Sequence, residues 1–291
     1  MTVIMKAKPI VAALTDELST SAAHVTAALG RKPGLTVVLV GDDPASAIYV
    51  RNKQKRADQI GVHSDTLRMP ATSTQEDVVT AVQKLNADPT VDGIIVQLPL
   101  PQQIDADAII NTIAVDKDVD GFTLSTTGRL WNLPKNSPEH VGPCTPLGIM
   151  AMLDYYQLPV AGKHAVIVGR SNIVGKPMAA MLLNKGATVT IAHSQTTDLH
   201  SLLLTADIIV AATGRRGLIT ASDVKPGATV IDVGMNRFVD ENGKKRLVGD
   251  VDYPAVAEVA GAITPVPGGV GPMTVNMLLK QTIAKAASKI Q

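Results

Sequence analysis

The chain alternates between short apolar runs and longer stretches with helical periodicity. Several of the runs are continuously apolar, among them residues 93–96 (Gly-Ile-Ile-Val) and 208–212 (Ile-Ile-Val-Ala-Ala). Strands that are buried on both faces have this pattern, which predicts a parallel sheet covered by helices. The predicted strands are residues 35–40, 91–96, 164–168, 188–192, 207–212, 228–233 and 262–264. The predicted helices between them are residues 9–29, 45–60, 74–87, 104–113, 146–156, 177–185 and 198–204. This βαβ order predicts the α/β class.

A segment without periodicity divides the chain near residues 132–146. It is rich in proline and polar residues, so it is either a linker between two domains or a long surface loop. A length of 291 residues is enough for two domains, each with a core of its own. A last helix is predicted near residues 273–288, with its apolar residues on one face. Because it follows the last strand of the second domain, we expect it to pack back on the first.

Charge and composition narrow the possible partners. The chain has 27 basic and 26 acidic residues, so neither nucleic acid nor an anionic membrane is expected as a partner. Cys144 is the only cysteine, which excludes an intrachain disulfide and favours a reducing, cytoplasmic location. No run of 18 apolar residues and no signal-peptide pattern is present, so no membrane span is expected. The six histidines show no paired ligand spacing, and no metal site is expected.

A glycine-containing segment in the second half indicates a nucleotide site. It runs from a predicted strand into a predicted helix, with Gly169 placed for a tight turn and Gly175 placed for close approach of the helix to the strand. The N–H groups at such a helix start bind phosphate. The segment departs from the usual dinucleotide pattern because Ser171 replaces the second glycine. Taken alone, it is also compatible with an ordinary glycine-containing βα turn.

The next strand favours NADP over NAD. It ends in His193 and Ser194 and offers no acid for the ribose hydroxyls, whereas Arg170 lies in the first turn and its planar guanidinium matches a phosphate. A solvated surface arginine is the alternative. Two later strands end in small residues, where ligands of open α/β sheets lie and where ordinary turns also occur. Their candidate cofactor neighbours are Thr213, Gly214, Gly234 and Met235.

Polar residues in the first half form a second candidate site. Ser46, Tyr49 and Lys53 share one face of a predicted helix, where a tyrosine and a lysine one turn apart can hold a flat aromatic ligand beside a proton-transfer group. A solvated lysine next to a half-buried tyrosine is the alternative. Gln97 ends a buried strand, at the edge where ligand sites gather, unless loop backbone satisfies its amide.

Two further segments are chemically unusual. Residues 116–122 hold three acids in five positions; one buried acid there could accept two N–H donors from a heterocycle, although a solvated acidic turn closed by Gly121 is favoured. Residues 264–274 contain three glycines and three prolines before a helix, which restricts the loop and lets a ligand approach the backbone.

Taken together, these segments resemble the bifunctional methylenetetrahydrofolate dehydrogenase/methenyltetrahydrofolate cyclohydrolase family, over essentially the whole chain. At the candidate catalytic positions nothing departs from the family pattern, and Met235 stands where many members carry isoleucine. The resemblance rests on six ordered motifs: Tyr49-Val-Arg-Asn-Lys53, Gln97-Leu-Pro-Leu-Pro101, Lys117-Asp-Val-Asp-Gly121, Pro143-Cys-Thr-Pro146, Gly169-Arg-Ser-Asn-Ile-Val-Gly175 and Pro265-Val-Pro-Gly-Gly-Val-Gly-Pro-Met-Thr274.

The resemblance implies a folate-binding catalytic α/β domain of residues 1–142, a Rossmann-type NADP-binding domain of residues 143–272, and a C-terminal helix of residues 273–291 that returns to the first domain. It also implies a homodimer, and folate bound in a cleft between the first domain and the nicotinamide. Lys53 corresponds to the lysine of the hydrolytic step, Tyr49 to the tyrosine that lines the folate, Gln97 to the partner that orients the lysine, and Asp120 to the carboxylate that holds the pterin. The other implied substrate contacts are Ser46, Val96, Leu98, Pro267, Gly268 and Gly269. The implied cofactor contacts are Gly169, Arg170, Ser171, Gly175, Ser194, Thr213, Gly214, Gly234 and Met235.

The implied chemistry agrees with these residue types. Hydride leaves the methylene bridge of the folate for the nicotinamide, so positioning matters more than a strong base. Water then attacks the cationic product, and a lysine that is neutral for part of the time can move the protons. Another two-domain NAD(P)-dependent dehydrogenase and a non-catalytic dinucleotide-binding regulator are the alternatives. Neither of them needs Tyr49, Lys53, Gln97 and Asp120 together.

Overall fold

The computed structural model describes residues 1–133, 142–241 and 243–290, and for residues 44–48 it describes the backbone alone. The strands are β1 (Val3–Ile4), β2 (Gly34–Val40), β3 (His63–Met69), β4 (Gly93–Val96), β5 (His164–Val168), β6 (Thr188–Ala192), β7 (Ile208–Ala211), β8 (Thr229–Asp232), β9 (Asn236–Val239), β10 (Lys245–Val248) and β11 (Ala262–Ile263). The α-helices are α1 (Ala7–Leu29), α2 (Pro44–Ile60), α3 (Gln75–Ala87), α4 (Ala106–Thr112), α5 (Leu124–Trp131), α6 (Cys144–Tyr155), α7 (Gly175–Asn184), α8 (Leu199–Leu204), α9 (Tyr253–Ala257) and α10 (Val270–Ala287).

The chain forms two compact units. One comprises Met1–Val11 and Leu130–Thr274, and we call it the large-sheet unit. The other comprises Ala12–Arg129 and Val275–Gln291, and we call it the small-sheet unit. The α/β class expected from the hydrophobic pattern is confirmed, since both units contain a parallel sheet with helices between successive strands.

The main sheet of the large-sheet unit has six strands in the order β1-β11-β8-β7-β5-β6, and all neighbours in it are parallel. Its core includes Val166, Ile209, Val230 and Ile263, which come from four adjacent strands. The strand order reverses at β5, because β6 lies on one side of it and β7 on the other. Ligands of open α/β sheets bind beyond the carboxyl ends of the strands at such a reversal. A ligand site is therefore expected at the carboxyl ends of β5 and β7.

The small-sheet unit contains three parallel strands in the order β3-β2-β4. The central strand β2 and the edge strand β4 are buried along their whole length. Val38 and Ile94 from these strands pack with Val78 and Val82 of α3 and Ile109 of α4. This core supports the carboxyl end of β4, since Val96 belongs to it.

The last helix belongs mostly to the small-sheet unit. Gln281 donates to the carbonyl oxygen of Val119 over 2.7 Å, and Lys289, just beyond the helix, forms an ion pair of 2.7 Å with the buried carboxylate of Asp92. These contacts confirm the expectation that the C-terminal helix returns to the first domain. The helix begins at Val270, three residues earlier than predicted, because Pro272 lies in its first turn, where no backbone donor is needed.

The hydrophobic pattern missed several elements. The edge strand β3 contains polar residues such as His63 and Asp65, and its exposure alternates irregularly, so no apolar run marks it. The hairpin of β9 and β10 was missed for the same reason, because polar residues interrupt both strands. The helices α5 and α9 have 8 and 5 residues, which is too short for periodicity to detect.

The boundaries of the units also differ from the expected domains. Strand β1 pairs in parallel with β11, so Met1–Val11 belongs to the large-sheet unit and not with the residues that follow it. A strand of two residues gives no readable pattern. Residues 134–141 of the predicted linker lie outside the described residues, and its last part is helical, because α6 begins at Cys144.

Candidate active site

The loop after β5 is built around two glycines. Gly169 has a φ of +129°, and a Cβ at this position would overlap the carbonyl oxygen of Ala212 at the end of β7. A Cβ on Gly175 would overlap the carbonyl oxygen of Gly169. Neither position accepts a side chain, because neighbouring backbone fills the space. The start of α7 is therefore held close to the strand reversal, as phosphate-binding βα turns require.

Polar side chains follow within this loop. The Ser171 hydroxyl accepts hydrogen bonds from the backbone N–H groups of Val174 (3.2 Å) and Gly175 (3.3 Å), which are two of the donors at the start of α7. Its own proton is thereby directed away from the helix and can be donated to an anion. Arg170 and Ser171 are exposed, and so is Ser194 in the turn after β6. These three residues surround the carboxyl ends of β5 and β6, where the sequence predicted recognition of a phosphate.

The turn after β7 is held by a buried acid. One carboxylate oxygen of Asp250 accepts hydrogen bonds from the backbone N–H groups of Thr213 (2.6 Å) and Gly214 (3.0 Å) and from the Thr213 hydroxyl (2.9 Å). The other oxygen accepts from the side chain of Asn236 over 2.9 Å. Asp250 is completely buried. The Asp250 carboxylate thus fixes the backbone of the Thr213–Gly214 turn, in which Gly214 is exposed and has a φ of +69°.

A second buried acid lies at the end of β8. Asp232 accepts hydrogen bonds from the backbone N–H groups of Gly234 (2.9 Å), Asp250 (2.9 Å) and Val251 (3.0 Å). Burial raises the pKa of Asp232 to about 6, against the three hydrogen bonds, which lower it; the nearby Asp250 carboxylate adds to the rise. Gly234 is buried, whereas Met235, the next residue, is exposed.

The small-sheet unit brings Lys53 and Gln97 together. The ammonium of Lys53, on α2, donates to the Gln97 side-chain oxygen over 3.1 Å, and the Gln97 amide nitrogen donates to the carbonyl oxygen of Leu98 over 2.9 Å. The backbone N–H of Gln97 donates to Val38, which extends the sheet by one residue past β4. The amide thus has both its expected loop-backbone partner and the lysine. Lys53 is half-buried, as is Tyr49 one turn before it.

Three further residues of the predicted folate-contact set belong to the same unit. Val96 is buried, Leu98 is half-buried, and the side chain of Ser46 lies outside the described residues.

The acidic segment after this core divides into residues with different roles. Asp118 is buried and accepts hydrogen bonds from the backbone of Gly121 (2.7 Å) and Thr123 (3.0 Å) and from the hydroxyls of Thr123 and Thr126 (2.7 Å each). The buried acid of this segment is therefore occupied by protein donors, and the expected solvated turn is wrong for Asp118. Asp120 is half-buried and lies in the loop that Asp118 orders.

The glycine- and proline-rich segment near residue 267 is fixed at its two ends. The hydroxyl of buried Thr264 accepts a hydrogen bond from the backbone of Asp232 over 2.8 Å. A Cβ on Gly269 would lie 2.6 Å from the carbonyl oxygen of Pro265, so this close approach requires glycine. Between these points Pro267 and Gly268 are exposed, whereas Gly269 is buried. The exposed pair presents backbone at the surface of the large-sheet unit.

Sequence reasoning missed Asp232 and Asp250. The signal in the sequence was indirect: a glycine, Gly249, stands directly before Asp250. The structure gives the reason for it, because a Cβ on Gly249 would overlap the Asp232 carboxylate. Among the described residues, no group of three or more His, Cys, Asp or Glu side chains is placed to hold a metal ion. No helix in the described ranges combines the length and the apolarity needed to cross a membrane.

Comparison with known families covers nearly the whole chain. Residues 5–120 match the catalytic domain of the tetrahydrofolate dehydrogenase/cyclohydrolase family, and residues 143–290 match the NAD(P)-binding domain of the same family. The second match includes the last helix, most of which belongs to the small-sheet unit.

Individual relatives agree with the family models. A bifunctional protein FolD from Chlorobium phaeobacteroides is 52% identical over 286 residues, covering 96% of each chain. The crystal structure of the FolD methylenetetrahydrofolate dehydrogenase/cyclohydrolase from Campylobacter jejuni is 42% identical with a TM-score of 0.94, covering 99% of this chain and 100% of that one. A FolD structure from Trypanosoma brucei, complexed with NADP cofactor and inhibitor, is 36% identical with a TM-score of 0.93, covering 100% of this chain and 99% of that one. This chain belongs to the tetrahydrofolate dehydrogenase/cyclohydrolase family.

Proposed function

We propose that the protein oxidises 5,10-methylenetetrahydrofolate with NADP and hydrolyses the methenyl product to 10-formyltetrahydrofolate. One observation carries the proposal: in a chain of this family, the Lys53 ammonium is hydrogen-bonded to Gln97 at the carboxyl end of a buried parallel strand. A lysine held by a neutral amide at such an edge can move protons without a second charge beside it.

Lys53 and Gln97 are assigned to the hydrolytic step. Water adds to the cationic methenyl carbon and gives one of its protons to the Lys53 amine, which acts as the general base. The bond from that carbon to one folate nitrogen then breaks, and that nitrogen takes the proton back from Lys53. The remaining hydroxyl proton leaves to solvent as the formyl C=O forms. Gln97 keeps the amine directed at the reacting carbon, since its oxygen accepts from Lys53 while its amide is held by Leu98.

The remaining residues of the small-sheet unit are assigned to folate binding. Tyr49 lies one turn from Lys53 and offers an aromatic face to the flat folate. Asp120 offers a carboxylate to the N–H donors of the pterin, on a loop that the Asp118 hydrogen bonds keep in place. Ser46, Val96 and Leu98 complete this set. We add Pro267, Gly268 and Gly269 of the large-sheet unit as substrate contacts through their backbone.

The large-sheet unit is assigned to NADP. The glycine-bounded loop at the strand reversal fits a dinucleotide, because Gly169 lets the loop lie against the end of β7 and Gly175 lets the start of α7 lie against the loop. Arg170, Ser171 and Ser194 would hold phosphate oxygens, and the turns at Thr213, Gly214, Gly234 and Met235 would line the rest of the cofactor. When bound, NADP supplies the acceptor for the hydride that leaves the methylene bridge.

This assignment also divides the chain by function. We propose residues 1–142 with the C-terminal helix of residues 273–291 as the folate-binding catalytic domain, and residues 143–272 as the NADP-binding domain. The matches to a catalytic domain over residues 5–120 and to an NAD(P)-binding domain from residue 143 support it.

The experiment is a two-wavelength assay of the purified chain and the Lys53→Met variant. The native protein is expected to form NADPH and methenyltetrahydrofolate from methylenetetrahydrofolate and then to consume the methenyl product. Lys53→Met is expected to abolish hydrolysis and to retain part of the dehydrogenase activity, because hydride transfer needs no proton from the lysine. The neighbouring exposed Lys55→Met variant is the matched control and is expected to keep both activities. Equal retention of both activities in Lys53→Met would contradict the role of Lys53.

We also propose that the chain is a homodimer. The strand β3 is an edge strand of its sheet, and the backbone along the outer side of such a strand can pair with a second copy. Light scattering during gel filtration is expected to give twice the mass of one chain. A single-chain mass at the concentration of the activity assay would refute this.

A cytoplasmic location is proposed on the strength of the buried lone Cys144, which excludes an intrachain disulfide. When cells that express the untagged chain are fractionated, the protein is expected in the cytoplasmic fraction. Recovery in a membrane or secreted fraction would contradict it.

A further inference from the structure

Asp250 lies beneath the turn that ends β7, at the strand reversal of the large sheet. Its side chain is completely buried and accepts four hydrogen bonds, three from the Thr213–Gly214 turn and one from Asn236. Asp250 lies in none of the six family motifs, and it is not one of the proposed catalytic residues. A buried charge of this kind is costly unless every oxygen is satisfied, so its presence calls for a role.

The partners of Asp250 are all donors. Thr213 and Gly214 present backbone N–H groups and a hydroxyl to one oxygen, and Asn236 presents its amide nitrogen to the other. The same Asn236 nitrogen also donates to the carbonyl oxygen of Gly249 over 2.9 Å, so the amide cannot turn over without placing oxygen against oxygen. Only a group that accepts on both oxygens satisfies this site. An asparagine at position 250 would place its NH2 group against one set of donors.

Asp250 is itself fixed from below by Asp232. The carboxylate of Asp232 accepts from the backbone N–H groups of Asp250 and Val251, and so holds the segment on which Asp250 stands. The backbone N–H of Asp232 donates to the hydroxyl of Thr264, directly after the neighbouring strand β11. A chain of hydrogen bonds therefore runs from Thr264 through Asp232 and Asp250 to the Thr213–Gly214 turn. No step in this chain depends on a long flexible side chain.

We propose that Asp250 is a positioning residue for the bound cofactor: it sets the Thr213–Gly214 turn at the distance from the Gly169 loop at which the dinucleotide is held. This inference rests on the proposed function, which assigns NADP to these turns. The close approach of the two turns, where the Ala212 carbonyl oxygen fills the space beside Gly169, makes their spacing sensitive to any shift of the β7 end. Asp250 acts through Thr213 and Gly214.

The test compares Asp250→Asn with Asp252→Asn in the full-length protein. Asp252 is a matched control because it is exposed, two residues away, and its side chain makes no capping hydrogen bond to α9. The measurements are the dissociation constant of NADP by calorimetry, the KM for NADP with kcat, the rate of methenyltetrahydrofolate hydrolysis, and the melting temperature. Hydrolysis does not use the dinucleotide, so it reports whether the fold is intact.

For Asp250→Asn we expect the dissociation constant and KM for NADP to rise about tenfold or more, because the Thr213–Gly214 turn loses the charged acceptor that holds it in place. Hydrolysis is expected to stay near that of the native protein, and Asp252→Asn is expected to change none of these quantities. An unchanged NADP affinity in a folded variant would overturn the inference. So would a parallel fall in NADP affinity, hydrolysis and melting temperature, since that is the result of a structural role alone.

A milder variant keeps the test decisive if Asp250→Asn does not fold. Asn236→Ala removes one donor to Asp250, and the Asn236 side-chain nitrogen donates to Gly249 and Asp250 rather than to the Thr213–Gly214 turn. It is expected to weaken NADP binding by less than Asp250→Asn and to spare hydrolysis, and an unchanged affinity here, with Asp250→Asn unfolded, overturns the inference. Failure of the proposed function gives a different result: the native protein would form no NADPH from methylenetetrahydrofolate.

Discussion

Removal of the Gln97 side chain tests whether the orientation of Lys53 matters. In Gln97→Ala the hydrogen bond of 3.1 Å from the Lys53 ammonium is lost, and no other described group within the small-sheet unit is bonded to that ammonium. Hydrogen bonds that involve a charged partner contribute about 1.5–3 kcal/mol, and a half-buried lysine, for which water competes, belongs at the lower end. If the loss appears fully in the transition state, about 1.5 kcal/mol slows hydrolysis about tenfold.

The assay for this variant follows the decay of methenyltetrahydrofolate absorbance beside NADPH formation. We expect hydrolysis to fall about tenfold and dehydrogenation to fall much less, because only the first depends on proton transfer by Lys53. Gln102→Ala is the control, since Gln102 is exposed in the loop that follows the same strand. Equal falls in both activities would refute the reasoning, because they would indicate a general loss of the strand end.

A charged replacement at the same position sharpens the prediction. Gln97→Glu places a carboxylate beside the ammonium, and the attraction between the two charges opposes proton transfer from Lys53. We expect slower hydrolysis than in the native protein, whereas dehydrogenation is largely kept. Hydrolysis at the native rate in a folded variant would contradict proton transfer by Lys53.

Two other predictions concern the large-sheet unit. Replacement of the exposed Arg170 by alanine is expected to raise the KM for NADP far more than that for NAD, because the guanidinium is assigned to a phosphate that NAD lacks; parallel changes, measured in steady-state kinetics with both cofactors, would contradict this. The folded pKa of Asp232 is about 6, above its ordinary value of 3.8, so its contribution to stability is present below pH 3.8 and is lost as the pH rises through 6. Relative to Asp232→Asn, the native free energy of unfolding is expected to fall by about 1.4 kcal/mol between pH 5 and 7.5, and denaturant curves that keep a constant difference would count against it.

The interior of both sheets could be predicted from sequence. The predicted bounds of β5 and β6 agree with the structure to the residue, and those of β2, β4, β7, β8 and β11 to within two residues. Strands covered on both faces, such as β4 and β7, need continuous apolar sequence, whereas β6 is a partly exposed edge strand. Gly169 and Gly175 were recognisable for a related reason, since a position that admits no Cβ leaves glycine as the only choice. The site assignments carried by the six motifs stay predictions.

The acidic segment shows where local sequence became ambiguous. The sequence has three aspartates at alternate positions and no feature that distinguishes them. In the structure Asp118 is buried among protein donors, whereas Asp120 is half-buried. Burial depends on Thr123 and Thr126, whose hydroxyls reach the carboxylate only because the chain turns back at Gly121, where φ is +79°. A spacing rule cannot distinguish these acids.

The sequence by itself determined the α/β class, the buried strands and the glycine loop, because burial of apolar side chains and the size of a Cβ depend on residue type. Tertiary structure alone decided the network of Asp232 and Asp250. Asp250 is 18 residues from Asp232 and 37 from Thr213, and most of the donors that reach the two acids are backbone N–H groups. Every residue except proline carries such a group, so no pattern of side chains marks a partner until the strands are side by side.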